Sequence, residues 1–504
     1  MTETFDILIR KGRHLLVDLR GFHLPAGHIT FLFGESGIGK SLTGKAIFGL
    51  LDPDQLDVSV NGVPLPAYLN RRETHTRREH GFFVFQEPST HLNPLMMLDE
   101  QMREGSLSAC DPAPALEKLW TGAAPQDLRA LLAVYPQPHR PSGGEKQRIL
   151  CAMAFMKMDQ MTGQGEGLFV FDEPTGSLDN RFRDVVLEMI AERCRIRRHT
   201  VLLVTHDYSM ISVVLQRFPD LLDRIDFREL ALTSEGLRVR EFSPDIYVSW
   251  LSSQRPVATL AAGQRKRPVL TIEPEVAVHG RHLVISRTPG AVASDLAVHD
   301  SSMSYLKAPS GTGKTTVAKL LMGLARGTRF RAVLAGRTLT ERTLRRVWQE
   351  EIWGRRATMV FQHADEALNL RARVRDIFEG LPGRNRSRAE IEAALLEFFA
   401  GEPVGRFMDR RVGSLSGGQK QRLNLLRSLL LDTDLVILDE PLNGLDLASM
   451  QKVLSLVRER LERGTAILVI SHNEEIFDAL IPRENVYWLS VTGGGASPVD
   501  SSRA

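Results

Sequence analysis

Short apolar runs, each ending on a glycine or on polar and charged residues, form the dominant pattern of this chain. Ile29-Thr30-Phe31-Leu32-Phe33 is apolar and β-prone, as a buried parallel strand should be. It runs into Gly34, and the later stretch Leu42-Thr43-Gly44-Lys45-Ala46-Ile47-Phe48 reads as a helix. Leu168-Phe169-Val170-Phe171 runs into Asp172-Glu173, and Val201-Leu202-Leu203-Val204 into Thr205-His206. Phe82-Phe83-Val84 leads into Phe85-Gln86. Short buried strands alternating with helical stretches predict an α/β fold with a mainly parallel sheet.

The same series returns in the second half. Ala357-Thr358-Met359-Val360 leads into Phe361-Gln362, Leu435-Val436-Ile437-Leu438 into Asp439-Glu440, and Ile467-Leu468-Val469-Ile470 into Ser471-His472. Ser142-Gly143-Gly144-Glu145-Lys146-Gln147-Arg148 recurs as Ser416-Gly417-Gly418-Gln419-Lys420-Gln421-Arg422, and Ser177-Leu178-Asp179 as Gly444-Leu445-Asp446. The spacing is steady: 274 from Lys40 to Lys314, 276 from Gln86 to Gln362, 274 from Ser142 to Ser416, 267 from Asp172 to Asp439. Residues 163–167, Gly-Gln-Gly-Glu-Gly, fall where the offset drops and read as a loop insertion in the first copy. Ordered recurrence of this kind marks a tandem duplication.

Each copy carries a mostly helical stretch before its Ser-Gly-Gly. Residues 388–399 are rich in helix formers with an apolar face. The helix signal is weak at Asp111-Pro112-Ala113-Pro114 and at Leu381-Pro382-Gly383. The expected domains are residues 1–251 and 269–492. Residues 252–268, with Arg265-Lys266-Arg267, read as an exposed linker, and residues 493–504 as a disordered tail. Residues 71–80 mix charges and read as solvated surface.

Composition adds exclusions. The 504 residues suggest two or more domains, at about 100–200 each. A net charge of +3 gives no case for a nucleic-acid or membrane-surface binder. No apolar run approaches the roughly 18 residues that span a bilayer. The acidic start, Met1-Thr2-Glu3-Thr4-Phe5-Asp6, has neither the basic nor the apolar region of a signal peptide. Cys110, Cys151 and Cys194 are far apart without metal-type spacing, and are expected to be reduced thiols in a cytosolic chain.

Chemistry enters with Gly34-Glu35-Ser36-Gly37-Ile38-Gly39-Lys40-Ser41, which reads G-x-x-x-x-G-K-[ST]. Between a strand and a helix, its glycines let backbone N–H groups close around phosphate oxygens, and the helix N-terminus adds partial positive charge. Lys40 is then expected on the β- and γ-phosphates and Ser41 on Mg²⁺. Ala308-Pro309-Ser310-Gly311-Thr312-Gly313-Lys314-Thr315 repeats the loop with Ala for the first Gly. Asp172 and Asp439 end apolar strands, at the sheet edge where ligands of open α/β sheets bind, and suit Mg²⁺ through water. Glu173 and Glu440 follow, positioned to polarise an attacking water. The acid pairs alone would also suit a structural role, and His206 and His472 alone would suit satisfied strand-end histidines.

Together and in this order, the residues resemble the ATP-binding cassette (ABC) ATPases over nearly the whole chain. The resemblance implies two tandem P-loop NTPase domains, each a mainly parallel sheet core with a helical subdomain, that bind ATP and Mg²⁺ and hydrolyse ATP. Ser142-Gly143-Gly144 and Leu415-Ser416-Gly417-Gly418-Gln419 resemble the signature motif. Gln86 and Gln362 resemble Q-loop glutamines, which reach the metal, and His206 and His472 the switch histidines that contact the γ-phosphate. The two domains are implied to pair head to tail within the chain, each ATP lying between one phosphate loop and the other signature. One site then joins Lys40, Ser41, Gln86, Asp172, Glu173 and His206 with Leu415 to Gln419. The other joins Lys314, Thr315, Gln362, Asp439, Glu440 and His472 with Pro141-Ser142-Gly143-Gly144-Glu145, where Pro and Glu replace Leu and Gln. A Cβ at Ala308 narrows the allowed backbone if that position needs φ > 0, and Glu145 adds negative charge near a triphosphate unless its side chain points away, so the second site is expected to be slow or tight-holding rather than dead. ABC domains usually stack adenine on an upstream aromatic residue. Residues 9–14 and 283–287 hold none, so either His14 and Arg287 stack there instead, by ring or cation contact, or base selectivity is loose.

The stretch Phe85-Gln86-Glu87-Pro88-Ser89-Thr90-His91-Leu92-Asn93-Pro94-Leu95-Met96 looks like that of ATPases of oligopeptide, dipeptide and nickel importers. Residues 361–369 are a weaker echo. The tail differs from that group, with 32 residues and no cysteine after His472. The resemblance implies an importer ATPase, peripheral on the cytoplasmic face of the cell membrane. Its partners would be integral-membrane permease subunits and a solute-binding protein, with no nucleic acid. The alternative is an ABC ATPase that remodels a cytosolic partner, such as a translation or enzyme-assembly factor.

Overall fold

The computed structural model describes residues 3–104, 107, 111–120, 141–161, 167–176, 180–233, 236–256, 267–382, 387–399 and 403–492. Cys110, Ser177-Leu178-Asp179, most of the expected insertion at 163–167, residues 257–266 of the expected linker and the tail lie outside them. The chain divides into two compact units between Tyr247 and Val248, inside the helix Pro244–Ser253. That helix takes in Ser252 and Ser253, and a strand begins at Pro268, both inside the expected linker.

In the first unit a six-stranded sheet runs Gly236–Glu241, Ile225–Thr233, Ile29–Phe33, Thr200–Val204, Leu168–Asp172, Phe82–Val84. All neighbours pair in parallel except the antiparallel edge strand Gly236–Glu241. The apolar runs read from the sequence are its central strands, and every residue of Ile29–Phe33 is buried. A four-stranded antiparallel sheet, built on the pair Glu3–Lys11 and His14–Leu24, packs against the phosphate-loop helix Lys40–Phe48 in one apolar core. Ile7, Ile9, Val17 and Leu19 meet Ile47, Val170 and Leu202 there.

The second unit repeats this plan. Its seven-stranded sheet places Met303–Lys307, Ala466–Ile470, Leu435–Asp439 and Ala357–Val360 in succession, all parallel. This is the order of their counterparts in the first unit. A four-stranded antiparallel sheet again accompanies it. The duplication seen in the sequence is therefore a duplication of topology.

Residues 71–80 are mostly exposed, as expected, and Arg72–His80 is a helix anchored by buried Thr74 and by Arg77, which bonds to Tyr68 Oη and to Glu3. At the proline-rich stretch 111–114, where the helix signal is weak, a helix does begin, Ala113–Leu119, because proline is tolerated in a first turn whose N–H groups lack helix partners. The helix expected at 388–399 spans Arg388–Phe398, with Ser387 and Glu390 forming a capping box. Cys151 and Cys194 are buried free thiols whose pKa values burial pushes up. Among the described residues no helix is long and apolar enough to cross a membrane.

Candidate functional site

Each parallel sheet ends in the same constellation. In the first unit Gly34, Gly37 and Gly39 have φ of 142°, 81° and 115°. A Cβ on Gly34 would stand 2.5 Å from the Leu230 carbonyl oxygen, and one on Gly39 would stand 2.8 Å from Val17 Cγ2. Only glycine meets both constraints. The helix that follows begins at Lys40 with no side-chain cap and no acid in its first turn, which leaves its N–H groups and dipole for an anion. The Lys40 ammonium donates to the carbonyls of Gly34 (2.6 Å) and Glu35 (3.0 Å), the loop a phosphate would enter.

The second loop solves the first position differently. Ala308 is not among the residues with positive φ, whereas Gly311 and Gly313 keep 76° and 115°. Lys314 still donates to the carbonyls of Ala308 (2.5 Å) and Pro309 (3.3 Å). The expected backbone penalty at Ala308 is thus avoided. Gly34→Ala is expected to cost about 1–3 kcal/mol, read as a lower thermal unfolding midpoint. Ala308→Gly should shift that midpoint by under about 1 kcal/mol. An unchanged midpoint in Gly34→Ala would contradict the close approach to Leu230.

Beside each loop lies a candidate cation site. Ser41 Oγ donates to Asp172 Oδ1 at 2.8 Å, and Thr315 Oγ1 to Asp439 Oδ1 at 3.2 Å. Asp172 is 1% exposed and Asp439 0%. The other oxygen of each, Oδ2, is buried without a partner among the described residues. Burial raises both carboxyls to about 6 against the pull of the hydroxyl bond. A buried, unpaired carboxylate oxygen next to a hydroxyl fits a hydrated Mg²⁺, which supplies the missing charge.

Glu173 and Glu440 are two of the few non-glycine residues at positive φ, 46° and 49°. In each the backbone N–H donates to the end of the neighbouring strand, Val204 O or Ile470 O, at 2.9 and 2.8 Å. The same strained turn occurs in both copies, and strain of this kind concentrates at functional sites. Nothing in the sequence signals it, since glutamate has no preference for this region.

The carboxylates themselves differ. Glu173 Oε2 accepts from Gln86 Nε2 at 2.8 Å, and Oε1 lies 3.1 Å from His206 Nδ1 in an ion-pair approach. Burial raises its pKa, but the charge of His206, its bond and Lys40 outweigh that and hold it below the usual range. His206 rises in turn, Glu173 outweighing its burial. Glu440 Oε2 instead accepts from Ser471 Oγ (3.1 Å) and from the His472 backbone N–H (3.0 Å), with His472 Nε2 at 3.4 Å from Oε1. Gln362 is not among these partners. Burial first, and then Asp439, push Glu440 above the usual range. Of the expected residues, the structure thus joins Gln86, Glu173 and His206 around one carboxylate, and only Glu440 and His472 around the other.

The signature residues are helix caps. Ser142 Oγ accepts from Glu145 N (3.3 Å) while Glu145 Oε2 accepts from Ser142 N (2.8 Å). Ser416 and Gln419 do the same, both at 3.1 Å. The Ser-x-x-Glu or Gln pattern is the sequence signal of a capping box. The Glu145 carboxylate folds back on its own helix terminus, where the dipole offsets part of its charge. Arg287, expected at adenine, already lies over the Tyr487 ring, 4.0 Å from its centroid.

A family model described as "ABC transporter" matches residues 18–176 and 293–443, together more than half of the chain. Among similar proteins, the peptidoglycan transport ATP-binding protein YejF of Agrobacterium fabrum is 26% identical over 92% of this chain and 86% of its own length. The glutathione import ATP-binding protein GsiA of Salmonella paratyphi A is 25% identical over 92% of this chain and 80% of its own. A solved structure titled RNase-L Inhibitor has a TM-score of 0.55 at 18% identity, covering 96% of this chain and 90% of that one, which shows a shared fold. The chain therefore belongs to the ABC transporter family, as an ATPase that carries the family's ATP-binding domain twice.

Proposed function

We propose that this ATPase energises the import of peptides, nickel or a related small solute through separate permease subunits, with a solute-binding protein as a further partner. The observation that carries this reading is similarity over 92% of the chain to two transporter ATP-binding proteins, one named for peptidoglycan and one for glutathione, both peptide-containing solutes. The importer-like stretch from Phe85 to Met96 supports it. On this reading the chain works at the membrane's inner face.

The chemistry follows from the residues at the sheet ends. The loop N–H groups bind phosphate oxygens, and Lys40 and Lys314 exchange their loop carbonyls for β- and γ-phosphate oxygens. Ser41 with Asp172, and Thr315 with Asp439, would hold Mg²⁺, which neutralises charge on the phosphates when bound. Glu173 accepts a hydrogen bond from the attacking water and orients it, while Gln86 and His206 hold its two oxygens. Ser142-Gly143-Gly144 and Ser416-Gly417-Gly418-Gln419 are assigned to the paired ATP sites that the family resemblance implies. His206 and His472 are assigned to the γ-phosphate.

Fractionation of the full chain tests the transport reading, with and without membrane proteins encoded beside its gene. It is expected to sediment with membranes only when they are present, and its ATPase rate to rise when a peptide-loaded binding protein is added. An ATPase that stays with a cytosolic assembly and ignores those proteins would overturn import and favour remodelling of a cytosolic partner.

A further inference from the structure

Gln147 is the fifth residue of the helix Gly143–Gln160 and is 4% exposed. Its Nε2 donates to the Phe85 carbonyl at 3.2 Å. Phe85 directly precedes Gln86, whose side chain holds Glu173. One residue earlier, Lys146 Nζ donates to Ser89 Oγ at 3.2 Å, on the other side of Gln86. The loop bearing Gln86 is therefore pinned on both flanks by the start of one helix.

The second unit repeats the brace with altered parts. Gln421 Nε2 reaches the Phe361 carbonyl at 3.5 Å, and Asn424 Nδ2 donates to the same oxygen at 3.2 Å. Lys420 Nζ lies 2.9 Å from Asp365 Oδ1. Two copies that differ at many positions both bring buried amides to the carbonyl before the loop glutamine.

The amide of Gln147 is a poor choice for stability alone. Its Oε1 is buried without a partner among the described residues, and the same holds for Asn424 Oδ1. A buried polar atom left unpaired costs free energy that an apolar side chain of similar shape would not. Reversing the amide would bring Oε1 against the Phe85 carbonyl, so the unpaired oxygen is the consequence of donating there.

We propose that Gln147 is a positioning residue for ATP hydrolysis: by holding the Phe85 carbonyl it sets Gln86, and through Gln86 the Glu173 carboxylate. Gln421 with Asn424 performs the same task for the Gln362 loop. The inference rests on the ATPase reading and not on import or on the identity of a solute.

The test uses the full chain and Gln147→Met, of similar length and without a donor. The thermal midpoint is expected to stay or rise, ATP affinity to stay within about twofold, and kcat to fall about tenfold. Gln147→Leu, of different shape and also without a donor, should lose kcat similarly and guards against a packing defect in the first variant. In a Gln86→Ala background Gln147→Met should cause no further loss, because its effect passes through Gln86. Unchanged kcat in both single variants, or losses that multiply in the double variant, would overturn the proposal. A wild-type chain without ATPase activity would instead refute the enzymatic reading.

Discussion

Lys40→Ala is expected to remove most ATP turnover, by about 100-fold or more, while leaving the first unit folded. The lysine is buried, and its ammonium donates to the carbonyls of Gly34 and Glu35 in its own loop. A phosphate arriving there offers an acceptor of opposite charge in place of two neutral carbonyls. Its charge is thus worth more when nucleotide is bound than in the resting chain. Removing it frees two loop carbonyls to solvent at the sheet edge, an expected cost of about 1 kcal/mol. Steady-state hydrolysis and thermal unfolding measured on the same preparation separate the two effects. Near-normal turnover in Lys40→Ala, with both phosphate loops otherwise intact, would refute the assignment. A collapsed midpoint would show that the ammonium holds the fold.

The sequence made the sheet legible because its strands are buried on both faces. Leu168–Asp172 and Leu435–Asp439 carry no polar position before their terminal aspartate, and a run of that kind has few other places to go. The duplication then placed the second copy's strands by alignment with the first. What the sequence hid is set by backbone geometry and by choices between equivalent partners. The left-handed turn at Glu173 and Glu440 is imposed by the bond to the neighbouring strand, not by the residue. That Glu145 is a cap and not a charge aimed outward follows from a reciprocal bond three residues apart. The helix Arg72–His80 has almost no apolar face, so no periodicity betrayed it. Its attachment runs through Thr74 and Arg77, single residues with no pattern.

The two glutamates provide the second large effect. Glu173→Gln is expected to remove most turnover, about tenfold or more, and Glu440→Gln to remove less, under about threefold. In the sequence the first phosphate loop and its companions match the family pattern throughout and the second begins at Ala308, a departure whose backbone penalty the structure removes. The structure adds a reason at the carboxylates. Glu173 is held by two side chains, Gln86 and His206, that sit on separate loops and can turn with an arriving phosphate. Glu440 Oε2 takes both the Ser471 hydroxyl and the His472 backbone N–H, so that carboxylate is tied to its neighbouring strand end and not to side chains of separate loops. Thr205 and its counterpart Ser471 both accept from the N–H two residues on, of Asp207 at 3.0 Å and of Asn473 at 3.1 Å, and what sets Ser471 apart among the described residues is its bond to Glu440. Glutamine has the shape of glutamate, and its amide oxygen can still accept from Gln86, so neither variant should unfold the chain. Steady-state ATP hydrolysis of the matched pair decides. Equal losses would mean that the sites are coupled or equivalent, and a larger loss from Glu440→Gln would reverse the ranking.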